Sequence, residues 1–109
     1  MKAPAIALAL FLLAPVAASA QDAAAGRSLA ATCFTCHGTD GNSVQGVPPS
    51  LAGRPASELY QTMKDFQAGK RPATIMHQHA KGYTDDQLKA IAAYFAAVKP
   101  ATARVPSKP

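Results

Sequence analysis

An all-α domain with three main helices and two long loops is the fold class this sequence predicts. Three observations lead there. Apolar residues recur at spacings of three and four in three separate stretches. No stretch sustains the period-two alternation of a half-buried strand. The last stretch opens on a T-x-x-Q capping box, Thr84 to Gln87. No internal repeat interrupts this reading.

The chain has 109 residues, and residues 1–20 read as a cleaved secretory signal peptide. A basic start at Lys2 is followed by the apolar run "AIALALFLL" and by "APVAASA", which places cleavage after Ala20 and the mature protein in the periplasm. A membrane anchor is the alternative, but the apolar part is short for a span and Pro15 interrupts it. The domain itself is expected over residues 21–99. Its first helix runs from Asp22, a candidate N-cap, to Cys36, with Gly26, Leu29, Ala30 and Cys33 on one face. A glycine inside that helix costs about 1 kcal/mol against alanine, so close packing is the expected reason for Gly26.

"GTDGNSVQGVPPSLAG" gathers glycines and prolines and reads as the first loop. The second helix starts at Pro55 or Ser57 and ends at Ala68, burying Leu59, Met63 and Phe66, with Gly69 closing it. "KRPATIMHQHAKGY" reads as the second irregular stretch, broken by Pro72 and Gly82. The third helix follows Thr84, carries Asp85 and Asp86 in its first turn, and lines Leu88, Ile91, Ala92, Phe95 and Val98 along one side until Pro100. Residues 100–109, with Pro100, Pro106 and Pro109, are expected as a flexible Pro-rich tail.

Composition narrows the function. The 11 Lys plus Arg outnumber the 6 Asp plus Glu, giving a net charge of +5, but the bases are scattered rather than clustered with aromatics. That pattern speaks against nucleic-acid binding and for solubility with mild steering of an acidic partner. There is no Trp, and few Phe and Tyr, so the side chains alone make a thin core that a bound group would complete. Paired carboxylates, a nucleophile elbow and a phosphate loop are all missing, so no catalysis is expected of this chain alone.

The chemistry concentrates in "CFTCHG", residues 33–38. Zinc would need four ligands, and the chain offers Cys33, Cys36, His37, His77 and His79 without a second regular pair. A thioredoxin-type dithiol expects strands around it. A plain disulfide suits an exported protein but leaves His37 and the loops without a role. The reading that uses everything is attachment of one covalent c-type haem, for which C-x-x-C-H is the sequence signal. Residues three apart share a helix face, so both thiols can reach one edge of the macrocycle while His37 turns its imidazole under the iron. His37 then needs an acceptor on its other nitrogen, and "PPSLAG", Pro48 to Gly53, is where to look for one.

The sixth ligand decides what the iron does. Met63, Met76, His77, His79 and an open site are the alternatives. Met63 keeps step with Leu59 and Phe66, which favours a packing role. Met76 is favoured because no helical stripe accounts for it. Methionine closes the coordination sphere and raises the potential, which suits electron transfer; an open site would suit a haem-based gas sensor. Arg54 is a candidate propionate contact, with a merely exposed arginine as the alternative.

At these residues the sequence resembles the class I cytochromes c. "CFTCH" ending a helix, "PPSLAG", and "TIM" before "KGYTDDQLKAIAAYF" are similar to that family's haem-binding helix, proline loop and methionine loop. The resemblance implies long loops wrapped around one haem, a hydrogen bond from His37 to the Pro49 carbonyl, and His37 with Met76 on the iron. It also implies terminal helices that cross where Gly26 and Ala30 meet Ile91 and Tyr94. More narrowly, "CHGTDGNS" and "ATIMHQHAKGYTDDQLKAIAAYF" resemble the haem subunits of flavocytochrome c sulfide dehydrogenases. That implies a flavin-containing, sulfide-oxidising partner, with a free electron shuttle as the alternative. The single C-x-x-C-H departs from the two-haem members of that group.

Overall fold

The computed structural model of the protein describes residues 1–2 and 15–101. The expected apolar leader core and the tail beyond residue 101 lie outside the described residues. Those described form five α-helical segments: α1 Pro15–Ala30, α2 Phe34–His37, α3 Ala56–Gln67, α4 Met76–Lys81 and α5 Asp85–Ala97, with 3-10 turns at Ala31–Cys33 and Thr39–Gly41. No strand occurs among the described residues.

The N-terminal helix differs from expectation in two ways. Asp22 lies inside α1 rather than at its N-cap. The alanine-rich stretch before it carries the helix upstream. At the other end the helix tightens before Cys36 rather than running uniformly. Ala30, Cys33 and Phe34 all keep right-handed helical angles, and Phe34 N–H bonds to the Ala31 carbonyl, so the axis continues through the 3-10 turn. In that geometry side chains three apart nearly eclipse.

α3 and α5 follow the sequence closely. α3 starts after Pro55, and Gly69 donates to the Phe66 carbonyl at its end. Leu59 is buried, but Met63 and Phe66 are only half-buried. The Arg71 guanidinium lies 5.6 Å from the centre of the Phe66 ring. The capping box at Thr84 is complete, with Gln87 N donating to Thr84 Oγ1 at 3.2 Å and Thr84 N to Gln87 Oε1 at 2.9 Å. α4 was not expected, since Pro72 and Gly82 suggested a loop. They only bracket a short stretch, Met76 to Lys81, that contains neither a β-branched residue nor a breaker.

α5 is the central element, packed on α1 and on α3. Ala30, Leu59, Ile91, Ala92 and Phe95 form one buried cluster, with Leu29, Cys33, Phe34, Leu51, Tyr60, Tyr83 and Tyr94 against it. Among the described residues, only Phe95 and Leu88 are large side chains fully out of water. Such a core is as thin as the composition implies.

At the α1–α5 crossing, a Cβ on Gly26 would stand 2.9 Å from the Ala90 carbonyl oxygen and 3.5 Å from Tyr94 Cβ. No rotamer change moves a backbone oxygen. Gly26→Ala should therefore destabilise the protein by up to about 2 kcal/mol, the overpacking cost less the alanine helix propensity gained. Denaturant unfolding checks this; a variant more stable than the parent would show that the crossing is looser than its geometry.

Candidate functional site

The site is built from the end of the α1–α2 helix and the loop that follows. His37 closes α2, and Gly38 donates to the Phe34 carbonyl at 3.0 Å to end it. The loop then doubles back. The Gly41 carbonyl accepts from Leu51 N at 2.8 Å and from Ala52 N at 3.2 Å, and Ser43 N donates to Ser50 Oγ at 2.9 Å. Two further bonds fasten it to the C-terminal end of the fold: Gly53 N to the Phe95 carbonyl at 2.8 Å, and Ala101 N to Asn42 Oδ1 at 2.7 Å.

This closure carries Pro49 over His37. The His37 Nδ1 lies 2.7 Å from the Pro49 carbonyl oxygen, and the residue is only 8% exposed. A carbonyl can only accept, so Nδ1 is the donor, and the neutral tautomer this bond selects has its lone pair on Nε2. No hydrogen bond reaches Nε2 among the described residues. An imidazole with one nitrogen pinned by a backbone carbonyl and the other left as a base is the usual arrangement of a metal ligand.

Cys33 is half-buried, Cys36 exposed, and both are free thiols. Burial pushes the Cys33 thiol up, with Thr32 opposing and Cys36 adding to the effect, so it is held as a neutral thiol rather than as a reactive thiolate. Phe34, between the cysteines, docks the motif on α5. Its ring centre lies 6.2 Å from those of both Tyr94 and Phe95, which are 5.3 Å apart in an edge-on pair. Tyr94 also donates its hydroxyl to Asp40, and Arg27 Nη2 approaches the same carboxylate at 3.9 Å. Burial first, and Asp40 second, hold the Tyr94 hydroxyl above its ordinary range. None of Arg27, Asp40 or Tyr94 was singled out from sequence as bracing the motif, because the three are distant along the chain.

The remaining candidates fall as follows. Met76 is the first residue of α4 and half-buried; His77 is half-buried and His79 exposed. Arg54 Nη2 donates to Glu58 Oε1 at 2.6 Å, one helical turn on, and both side chains are substantially exposed. Among the described residues, no three His, Cys, Asp or Glu side chains gather as a set for a bare metal ion. Two surface hollows, one by Tyr60 and Lys89 and one by Gly26 and Tyr94, include none of Cys33, Cys36, His37 or Met76.

These residues fit a covalently attached haem. Two free thiols three residues apart precede a buried histidine whose Nε2 is left as the ligand nitrogen. The cytochrome c family matches residues 23–99, more than half of the chain. The cytochrome subunit of sulfide dehydrogenase from Chlorobaculum tepidum is 44% identical over 70 residues, covering 64% of this chain and 63% of that protein. Cytochrome c4 of Pseudomonas aeruginosa is 44% identical over 87 residues, covering 80% of this chain and 43% of that one. Cytochrome c-554(548) of Halomonas halodenitrificans is 39% identical over 79 residues, covering 70% of this chain and 95% of its own length. The chain thus spans less than two thirds of the first two relatives and nearly all of the third. It belongs to the cytochrome c family, with a covalently bound haem c as cofactor and electron transfer as the chemistry that cofactor serves.

Proposed function

We propose that the protein is the single-haem electron-transfer subunit of a periplasmic sulfide-oxidising assembly, receiving electrons from a flavin-containing partner. The observation that carries the haem site is the Pro49 carbonyl on His37 Nδ1, which fixes the tautomer needed for Nε2 ligation. In this reading Cys33 and Cys36 would tether the haem, and His37 and Met76 would ligate its iron. When bound, the haem takes up and releases one electron at a time.

The chain's own residues keep the iron environment constant between those states. The Pro49 clamp holds His37 in one orientation, and the Phe34–Tyr94–Phe95 contact holds the cysteine segment on α5. With haem bound, His37 and Met76 would supply its imidazole and thioether ligands, a pairing that would disfavour gas binding. Arg54, which pairs with Glu58 on the surface, is the candidate contact for a haem propionate.

The sulfide-dehydrogenase partnership rests on the likeness to the Chlorobaculum subunit. Residues 1–20 as a secretory signal, with the domain over 21–99 and a Pro-rich tail after it, accord with the periplasm. A freely diffusing shuttle is the second reading, favoured by the match to nearly the whole of the Halomonas cytochrome.

The visible spectrum of denatured, acid–acetone-extracted protein tests the cofactor site. Haem retained by the parent and released from a Cys33→Ala, Cys36→Ala double variant is the expected result; colourless parent protein would sink the assignment. Gel filtration of protein isolated from its own host decides between the two readings. A flavin-containing protein co-eluting with it supports the subunit, and a lone monomer supports the shuttle.

A further inference from the structure

We infer that Gln67 is the positioning residue that aims α4, and with it Met76, at the haem site. The inference rests on the reading of Met76 as distal ligand and adds what holds that ligand in place.

α4 has six residues, too few to be stable as a helix in isolation. Its N-cap, Ile75, makes no side-chain capping bond, and its only buried residue is Ala80, at the far end from Met76. Its main packing partner is α3. At that contact Gln67, the last residue of α3, donates both hydrogens of its amide: Nε2 lies 2.8 Å from the Ala80 carbonyl and 3.1 Å from the Tyr83 carbonyl. Both partners can only accept, so the amide has one workable orientation. Without it the Ala80 carbonyl keeps only the adjacent backbone donors, Gly82 N and Tyr83 N, the latter at 3.4 Å.

Helix geometry turns this end anchor into an aiming device. Met76 and Ala80 are four residues apart and share a face of α4. Fixing Ala80 on Gln67 therefore fixes the rotation of α4 about its axis, and Met76 is presented on the face that packs at Ala80. His77 lies about 100° around the helix from Met76, so the same anchor turns it elsewhere. Tyr83 extends the brace. Its hydroxyl is 2.8 Å from Thr32 Oγ1, the residue before Cys33, so the segment gripped by Gln67 is tied directly to the cysteine segment. The two halves of the site are thus held at a set spacing by one amide and one hydroxyl pair.

Gln67→Leu keeps the bulk and removes both donors. In the haem-loaded protein we expect the amides of residues 77–83 to exchange faster by roughly tenfold or more, the effect of two lost hydrogen bonds. The far-red sulfur-to-iron band of the oxidised protein should also disappear at a lower denaturant concentration than in the parent, by more than the global unfolding midpoint moves. Tyr83→Phe, which keeps the ring and the fold, should shift the band in the same direction by less. If band and global midpoint move together in both variants, or amide exchange at 77–83 is unchanged, Gln67 is only a packing residue and the inference is overturned. Met76→Ala separates the two ideas. A far-red band surviving in that variant would overturn Met76 ligation, and with it the aiming role, whatever the exchange rates.

Discussion

Met76→Ala should abolish the weak far-red absorption of the oxidised protein and lower its midpoint potential, while leaving the helical circular dichroism intact. A thioether favours reduced iron, and its loss leaves water or a nitrogen donor in its place. Axial ligands set haem potentials over a range of about 0.8 V, so a downward shift of a few tenths of a volt is the expected size. Met76 is half-buried on a short helix and outside the buried cluster, so its truncation should cost little stability. Met63→Ala is the matched control, because Met63 is also half-buried, on α3. The band should survive there. Survival in Met76→Ala with loss in Met63→Ala would reverse the ligand assignment.

Gly41→Ala is expected to be strongly destabilising, because two separate costs fall on one added methyl. Gly41 has φ +77°, and a Cβ there would stand 2.7 Å from Phe95 Cδ1, 2.8 Å from Cε1 and 3.1 Å from Ala52 N. Phe95 is 1% exposed and cannot swing away. Left-handed backbone costs a non-glycine residue roughly 1–2 kcal/mol, and forcing a methyl into a packed contact typically about 1–3 kcal/mol more. The sum, roughly 2–5 kcal/mol, is a large share of a typical domain's 5–15 kcal/mol. Thermal unfolding should fall by on the order of 10 °C or more.

Gly46→Ala separates the two costs. Gly46 has φ +73° with nothing within 4 Å of the added methyl, so only the backbone cost of about 1–2 kcal/mol applies. Equal losses at Gly41 and Gly46 would show that the Phe95 contact contributes nothing. The Gly41 carbonyl also clasps Leu51 and Ala52, closing the loop that carries Pro49. Gly41→Ala should accordingly disturb the His37 environment as well as the fold, visible as a broadened haem spectrum.

Two features were legible because their signals are local. The capping box needs only Thr84 and Gln87 three residues apart, and it forms as the spacing implies. "CFTCHG" likewise contains the two thiols and the imidazole within five residues. The glycine at position 26 was legible as an anomaly, a cost without a local return; its reason is the Ala90 carbonyl on another helix. α4 was obscured by Pro72 and Gly82, which mark the ends of a segment without saying what lies between. Its six residues carry no periodic stripe, and only its docking on α3 through Ala80 and Gln67 gives it a fixed shape.

By itself, then, the sequence determined the helical class, the three main helices, the haem-attachment signal and the thin core. All follow from spacing, propensity and composition, which act over a few residues. The tertiary structure decided which carboxylate receives Tyr94, that Arg54 turns to Glu58, and that Gln67 grips α4. Each of these depends on a chain crossing or a side-chain rotamer. A glutamine or an arginine has many places to send its hydrogen bonds until packing leaves it one.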